Sequence, residues 1–247
     1  FESVNHELKE VKRNDISKWK SKISEWKQRY PICKEEYFKQ KEQVNPYAFL
    51  DILSDEASEG DIIIPEAGCN VTWGMQAWKV KKDQRLFSSF NHSPMGYGIP
   101  ASIGASFASS KGPVITLVGD GGLMMNEQEM ATITKHNLPI KIFVMNNDGY
   151  GMIKQTQETW LDSRYEATDE NSFYIPDPKK LARAHGIEKV ISIKSLKEVK
   201  NKVREVLDYE GPVLCDVSIH PSSRIYPKLV FGKPIEDSAP LLDRKTF

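Results

Sequence analysis

Short apolar runs alternate with segments of helical periodicity along most of the chain. The runs predicted to form strands are DIIIP (61–65), a short segment near Leu86, 114–118, 140–145, KVISI (189–193) and VLCDVSI (213–219). The intervals between them are long enough for helices, and strand–helix–strand crossovers build parallel sheets. The pattern therefore predicts an α/β doubly wound fold, with a mostly parallel sheet and helices on both faces.

Capping residues mark several helix ends. Asn45 is predicted to be an N-cap with Pro46 at the first helical position, and Gly60 ends that helix. Asp177 is predicted to cap a helix that Gly186 ends. The stretch GIPASIGASFASS (98–110) is predicted to form a helix whose small residues allow close packing.

Two further helix starts resemble capping boxes. Asn126 with Glu129, and Ser195 with Glu198, have the spacing at which side chains bond reciprocally to backbone N–H groups. Asn137 can take the left-handed position that ends the first of these helices.

Residues 14–30 predict a separate amphipathic helix. Its apolar residues recur at steps of three and four: Ile16, Trp19, Ile23, Trp26 and Tyr30. The opposite face is rich in lysine, and we interpret it as a solvated face rather than a nucleic-acid patch.

Charge and composition exclude several classes of function. The chain of 247 residues balances 34 basic against 34 acidic side chains, which gives no basis for binding nucleic acid or an anionic membrane. No apolar run approaches the roughly 20 residues of a membrane helix, and we expect no signal peptide. Three cysteines without CxxC spacing favour a reducing, cytoplasmic location. Because the first residue is Phe, we expect a piece of a longer protein.

Two polar turns follow consecutive predicted strands. Gly119-Asp120-Gly121-Gly122 follows the first strand, and Asn146-Asn147-Asp148-Gly149 follows the second. Glycine N–H groups and a helix N-terminus suit a phosphate, and one carboxylate with amide and carbonyl oxygens suits Mg²⁺. If the strands are neighbours, the pair indicates a metal-bridged phosphate ligand. Two ordinary loop turns are the alternative.

The segment from GDGG through NEQE and LPIKI to NNDGYGM resembles the thiamine diphosphate motif of the acetolactate synthase branch. The resemblance covers about residues 14–235 and implies the C-terminal, diphosphate-binding domain of a thiamine diphosphate enzyme. It implies Mg²⁺ ligands at Asp120, the Asn147 side chain and the Gly149 carbonyl. It also implies cofactor contacts at Gly119, Gly121, Gly122, Gly151 and Met152.

Two other stretches extend the resemblance. In FNHSPMGYGIPASIGA, Met95 matches the residue that supports the bent cofactor, and Ser93 a residue whose backbone contacts the aminopyrimidine. His92 is either a substrate or diphosphate contact or a structural residue. In PEAGCNVTW the matching cofactor contacts are Ala67, Gly68, Cys69 and Asn70, with Cys69 in place of the usual Gln and Asn70 in place of His.

The resemblance also implies missing parts. The glutamate that activates the cofactor belongs to a pyrimidine-binding domain, usually of a partner subunit, so we expect a homodimer or homotetramer and an inactive isolated chain. Residues 1–44 resemble the exit from a central domain, where FAD is possible. Residues 45–220 form the cofactor domain, and residues 221–247 a tail that closes over the site using Tyr226, Leu229 and Phe231.

The implied reaction is decarboxylation of a small 2-oxoacid and transfer of the acyl-anion equivalent to a second carbonyl. Thr156 stands where acetolactate synthases carry a Trp that selects the second 2-oxoacid, so the resemblance leaves the acceptor open. The alternatives are a 2-oxoacid decarboxylase, another acyltransferase, or a non-catalytic module that binds the cofactor.

Overall fold

The computed structural model describes residues 15–109, 112–168, 172 and 174–245, in two units divided after Ile32. The described part of the first unit contains helix α1 (Ser17–Arg29), so the predicted N-terminal helix is confirmed. None of its residues is buried, and Trp19 and Trp26 meet edge to face with ring centroids 5.8 Å apart. The limits predicted for the linker, the cofactor domain and the tail stay predictions.

The second unit contains a six-stranded sheet in which every neighbouring pair of strands is parallel. The strands are β1 (Ile62–Pro65), β2 (Arg85–Leu86), β3 (Val114–Gly119), β4 (Ile140–Asn146), β5 (Val190–Ile193) and β6 (Val213–Ser218), in the order β2-β1-β3-β4-β6-β5. The helices are α2 (Pro46–Glu56), α3 (Cys69–Ala77), α4 (Gly98–Ala108), α5 (Asp120–Leu123), α6 (Met130–Lys135), α7 (Gly151–Trp160), α8 (Pro178–Ala184) and α9 (Leu196–Asp208). Short 3₁₀ turns lie at Glu35–Lys39 and Glu127–Glu129. The predicted doubly wound α/β fold is confirmed.

Helices cover both faces of the sheet. Alternate strand residues such as Val114 and Val118 share one buried cluster with Ile99 of α4 and Ile133 of α6. On the opposite side, α2 packs against α9 and α3. Because successive strand side chains point to opposite faces, both faces of this sheet need apolar residues, which explains the continuous apolar runs.

Two of the predicted caps are confirmed. The Asn45 side chain accepts hydrogen bonds from the N–H groups of Tyr47 and Ala48. The prediction that Gly60 ends this helix is wrong, because α2 ends at Glu56 with Ala57 as its C-cap. The Asp177 side chain accepts from the N–H of Lys179. In both helices Pro occupies an early position, where its missing N–H costs nothing.

The two predicted capping boxes are wrong. Asn126 makes no side-chain cap: its Oδ1 accepts from Nε2 of Gln128 (3.2 Å) and its Nδ2 donates to the carbonyl of Gly96 (2.9 Å), and α6 starts only at Met130. Ser195 is the N-cap of α9, but its hydroxyl donates to the Glu198 carboxylate (3.0 Å) rather than accepting from a backbone N–H. The left-handed position of Asn137 (φ +46°) is confirmed.

The strand order places a switch point between β1 and β3. The chain leaves β1 toward β2 at one edge of the sheet, and leaves β3 toward β4 on the other side. In open parallel sheets, ligands bind at the carboxyl ends of strands beside such a point. No helix in the described part of the chain is both long and apolar enough to cross a membrane.

Candidate functional site

A cavity of about 530 Å³ opens at the carboxyl ends of β1, β3 and β4. Every residue that the sequence assigned to cofactor or metal binding lines it: Ala67, Gly68, Cys69, Asn70, Ser93, Met95, Gly119, Asp120, Gly121, Gly122, Asn147, Gly149, Gly151 and Met152. These residues come from four separate segments of the chain. The switch point of the sheet thus gathers them around one space.

Asp120 lines this cavity directly after β3. Its side chain is buried, with Oδ1 accepting from the N–H of Gly121 (2.8 Å) and Oδ2 from the N–H of Gly149 (3.0 Å). Burial raises the pKa of the Asp120 carboxyl to about 6, and the backbone hydrogen bonds only partly oppose this rise. A bound cation would stabilise the deprotonated form of this buried carboxyl.

The side chains of the two adjacent asparagines at the end of β4 point in different directions, one into the cavity and one toward β6. Asn147 is buried and lines the cavity. The Nδ2 of Asn146 donates to Oδ1 of Asp216 on β6 (3.0 Å), and Lys179 donates to Oδ2 of the same carboxylate (2.6 Å). Because successive residues face opposite sides, Asn146 anchors the turn that presents Asn147 to the cavity.

Two helices start at the cavity without a side-chain cap. Helix α3 has Gly68 and α7 has Tyr150 as N-cap, and neither end has a side-chain cap. Both N-cap residues line the cavity. Helix N-termini present N–H groups and a partial positive charge, so this region suits an anionic group such as a diphosphate.

Cys69 and Asn70 begin α3 where the resemblance expected Gln and His. Burial raises the pKa of the Cys69 thiol to about 12, so the sulfur stays protonated and is no nucleophile at neutral pH. Asn70 is buried, and its Nδ2 lies 3.1 Å from the position that a Cβ on Gly119 would occupy. An amide donor is thus present beside the loop that follows β3.

Glu66 is a cavity residue that the sequence reasoning missed. It is buried, and its two carboxylate oxygens accept hydrogen bonds from the N–H groups of Gly96 (3.0 Å) and Gly98 (2.9 Å). Burial raises the pKa of Glu66, and the two hydrogen bonds oppose this rise. The signal was a carboxylate directly after an apolar strand. The other lining residues missed are Val71, Thr72, Trp73, Met145, Tyr150 and Ile153.

The cavity has an open side at the loop before α4. Met95 is 42% exposed, and Ser93 beside it is exposed with φ +41°. His92 is exposed and does not line the cavity. Thr156 is an exposed residue of α7 outside the lining, and its hydroxyl donates to the carbonyl of Met152 (3.0 Å).

The segment after β6 is anchored next to α7. Gln155 bonds the N–H and the carbonyl of Ile225 (2.9 and 3.2 Å), and Ile225 is buried. The apolar residues expected to bury the tail are instead exposed, with Leu229 at 67%, Phe231 at 87% and Tyr226 at 41%. Backbone hydrogen bonds, rather than apolar burial of these side chains, fix this part of the tail.

The donor set of the cavity fits a magnesium diphosphate. No three His, Cys, Asp or Glu side chains cluster within the described ranges, so a cation here would need neutral oxygens as well. Asp120 and Asn147 offer one carboxylate and one amide side chain, and Gly149 offers a backbone carbonyl. Mg²⁺ typically binds one or two carboxylates together with phosphate oxygens and water.

Comparison with known proteins identifies the family of the chain. Residues 66–217 match the family model described as thiamine pyrophosphate enzyme, C-terminal TPP binding domain. The acetolactate synthase large subunit of Pyropia yezoensis is 33% identical over 218 residues, which cover 88% of this chain and 36% of that protein. The Cyanidium caldarium protein of the same name is 31% identical over 231 residues, covering 94% of this chain and 38% of the relative.

A plant relative has a similar extent. Acetolactate synthase 3, chloroplastic, of Brassica napus is 33% identical over 234 residues, covering 90% of this chain and 34% of that protein. The chain therefore spans about a third of the length of the curated relatives it matches. The family match begins at Glu66, directly after β1, and covers the ends of β3 and β4. The chain belongs to the thiamine pyrophosphate enzymes, acetolactate synthase-like, and contains their C-terminal cofactor-binding domain.

Proposed function

We propose that this cavity binds the diphosphate of thiamine diphosphate through Mg²⁺. The observation that carries the proposal is the buried Asp120 carboxylate, which directly follows β3, while Asn147 directly follows the neighbouring strand β4. Asp120, the Asn147 side chain and the Gly149 carbonyl would hold the metal. The N-termini of α3 and α7 would receive the phosphate charge.

The chemistry comes from the cofactor. When bound, thiamine diphosphate supplies an acidic ring carbon that adds to a 2-oxoacid and an electron sink for its decarboxylation. This chain holds the metal and the diphosphate, limits access of water from the sheet side, and places Met95 at the open side. The neutral Cys69 thiol takes no part as a nucleophile.

A second domain would complete the site. Met95 and Ser93 leave an exposed side to the cavity, and the relatives are about three times as long as the matched part of this chain. We propose that a pyrimidine-binding domain of the same or a partner subunit covers this side and supplies the activating glutamate. A homodimer or homotetramer follows, and the isolated chain is inactive. Any FAD would bind a central domain.

The overall reaction is proposed from the family. A small 2-oxoacid is decarboxylated, and the acyl-anion equivalent passes to a second carbonyl. Thr156 favours one alternative, because an exposed threonine outside the cavity lining gives α7 no aromatic wall for an acceptor acid. Simple decarboxylation or another acyl transfer is therefore the second candidate. A cytoplasmic location stays a prediction.

The test uses the completed protein, with pyrimidine-binding domain, thiamine diphosphate, Mg²⁺ and pyruvate. Carbon dioxide release is followed, and the products are identified by NMR. Acetolactate supports the carboligase, whereas acetaldehyde supports the decarboxylase. The 247-residue chain runs beside it as the control expected to be inactive. Absence of turnover with any 2-oxoacid would leave only the non-catalytic binding module.

A further inference from the structure

The loop that carries Met95 is held from the sheet side by a buried carboxylate. Glu66 follows β1 directly and is 1% exposed. Its Oε1 accepts from the N–H of Gly96 and its Oε2 from the N–H of Gly98, at 3.0 and 2.9 Å. Both oxygens are therefore committed to the backbone that immediately follows Met95.

The same loop is held from the other side by Asn126. Its Nδ2 donates to the carbonyl of Gly96, 2.9 Å away. Gly96 has φ +86°, and a Cβ added there would lie 2.7 Å from both Asn126 Nδ2 and Met125 Cβ. Only glycine fits a left-handed position under such close contacts. The peptide groups on both sides of Gly96 are thus fixed by side chains 30 residues away in either direction.

Glu66 also connects this loop to the loop after β3. A Cβ on Gly122 would lie 2.0 Å from Oε1 of Glu66, so the carboxylate packs directly on that glycine. Gly122 and Met95 both line the cavity. The Glu66 side chain therefore fixes the position of Gly122, which is expected to bind the diphosphate, relative to Met95, which is expected to support the bent cofactor.

We propose that Glu66 and Asn126 are positioning residues that clamp Gly96 from two sides and so hold Met95 in place. The inference rests on the proposed function, in which Met95 supports the cofactor. Met95 itself is 42% exposed and cannot be fixed by core packing. Its place therefore depends on the backbone that follows it, and that backbone is held by the clamp.

The first test measures amide hydrogen exchange of residues 93–98 in the 247-residue chain without any ligand. Glu66→Gln turns one acceptor into a donor that faces a backbone N–H, and Asn126→Asp sets an oxygen against the Gly96 carbonyl. Each variant is expected to exchange these amides about tenfold faster or more. Thr134→Val is the matched control, since it keeps the shape of the side chain and removes a hydrogen bond to the carbonyl of His185 (2.8 Å) that involves neither the 93–98 segment nor the two clamp residues.

The second test adds thiamine diphosphate with Mg²⁺. Glu66→Gln and Asn126→Asp are expected to bind it about tenfold more weakly and to reduce the near-ultraviolet circular dichroism of the saturated complex. Thr134→Val is expected to change neither, even where its melting temperature falls equally. Wild-type exchange at 93–98 in both clamp variants would overturn the proposal, as would cofactor binding weakened no more than in Thr134→Val. If the wild-type chain binds no cofactor, the proposed function fails, while the exchange result still decides the clamp.

Discussion

The Oδ2 atom of Asp120 accepts a hydrogen bond from the backbone N–H of Gly149, 3.0 Å away. This bond joins the turns that follow two adjacent parallel strands, β3 and β4. The carboxylate that would bind the metal therefore also holds the turn that carries its other ligands. Cofactor binding and the local order of the site should depend on the same residue.

The affinity for Mg²⁺ and thiamine diphosphate should depend on pH through Asp120. Burial raises the pKa of its carboxyl from 3.8 to about 6, and a metal binds only the deprotonated form. Affinity should fall about tenfold for each pH unit below the pKa, which calorimetric titrations between pH 5 and 8 would measure. Asp120→Asn should bind more than about tenfold more weakly at every pH and lose this dependence.

The stability of the ligand-free chain should fall as pH rises, whereas the affinity for the metal should rise. Because the folded pKa of Asp120 lies above its unfolded value, the folded chain binds the proton more tightly between these two values. The contribution of this group to the free energy of unfolding therefore falls as pH rises from about 4 to about 6, and stays low above that. Urea unfolding of wild type and Asp120→Asn isolates this contribution, which must be absent from the variant.

Two helix caps should differ in their effect on stability. Asn45→Ala removes a side chain that bonds two backbone N–H groups of α2, and should lower the free energy of unfolding by about 1 kcal/mol. Ser195→Ala removes a hydroxyl that bonds the Glu198 side chain and no backbone N–H, so the free energy of unfolding should fall by only a few tenths of the Asn45→Ala loss. Urea unfolding measures both. Equal losses would mean that the Ser195 side chain also bonds the backbone N–H groups of α9.

Two helical glycines should respond oppositely to alanine. In Gly122→Ala the new methyl would lie 2.0 Å from Oε1 of Glu66, and the loss should be about 1–3 kcal/mol. At Gly104 in α4 no atom lies within 4 Å of such a methyl, so Gly104→Ala should gain about 0.5–1 kcal/mol from helix propensity. Thermal unfolding of the two variants gives the sign directly, and a stable Gly122→Ala would refute the close packing on Glu66.

The sequence predicted those parts of the site that depend on local order. Asp120 and Asn147 follow predicted neighbouring strands, so parallel pairing alone places them side by side. Glu66 and Asn126 could not be assigned this way, because each acts on Gly96 from 30 residues away. Asn126 has the spacing of a cap, but its Oδ1 accepts from the Gln128 side chain and its Nδ2 makes a tertiary hydrogen bond to Gly96.

The tail shows a similar limit. Its apolar side chains predicted burial, yet Phe231 is 87% exposed, and the anchoring comes from Gln155 bonding the backbone of Ile225. A side chain that bonds the backbone of a distant segment leaves no pattern in the sequence of that segment. The strands, in contrast, are visible because both faces of the sheet are buried, which produces continuous apolar runs.

The most direct test of the central claim is calorimetric titration of the 247-residue chain at pH 7.5 with thiamine diphosphate and Mg²⁺. Thiamine with Mg²⁺, and thiamine diphosphate with EDTA, serve as controls. Binding should require both the diphosphate and the metal, and Asp120→Asn should abolish the dependence on the metal. Equal binding of thiamine, binding that survives EDTA, or no binding at all would contradict a magnesium–diphosphate site at Asp120 and Asn147.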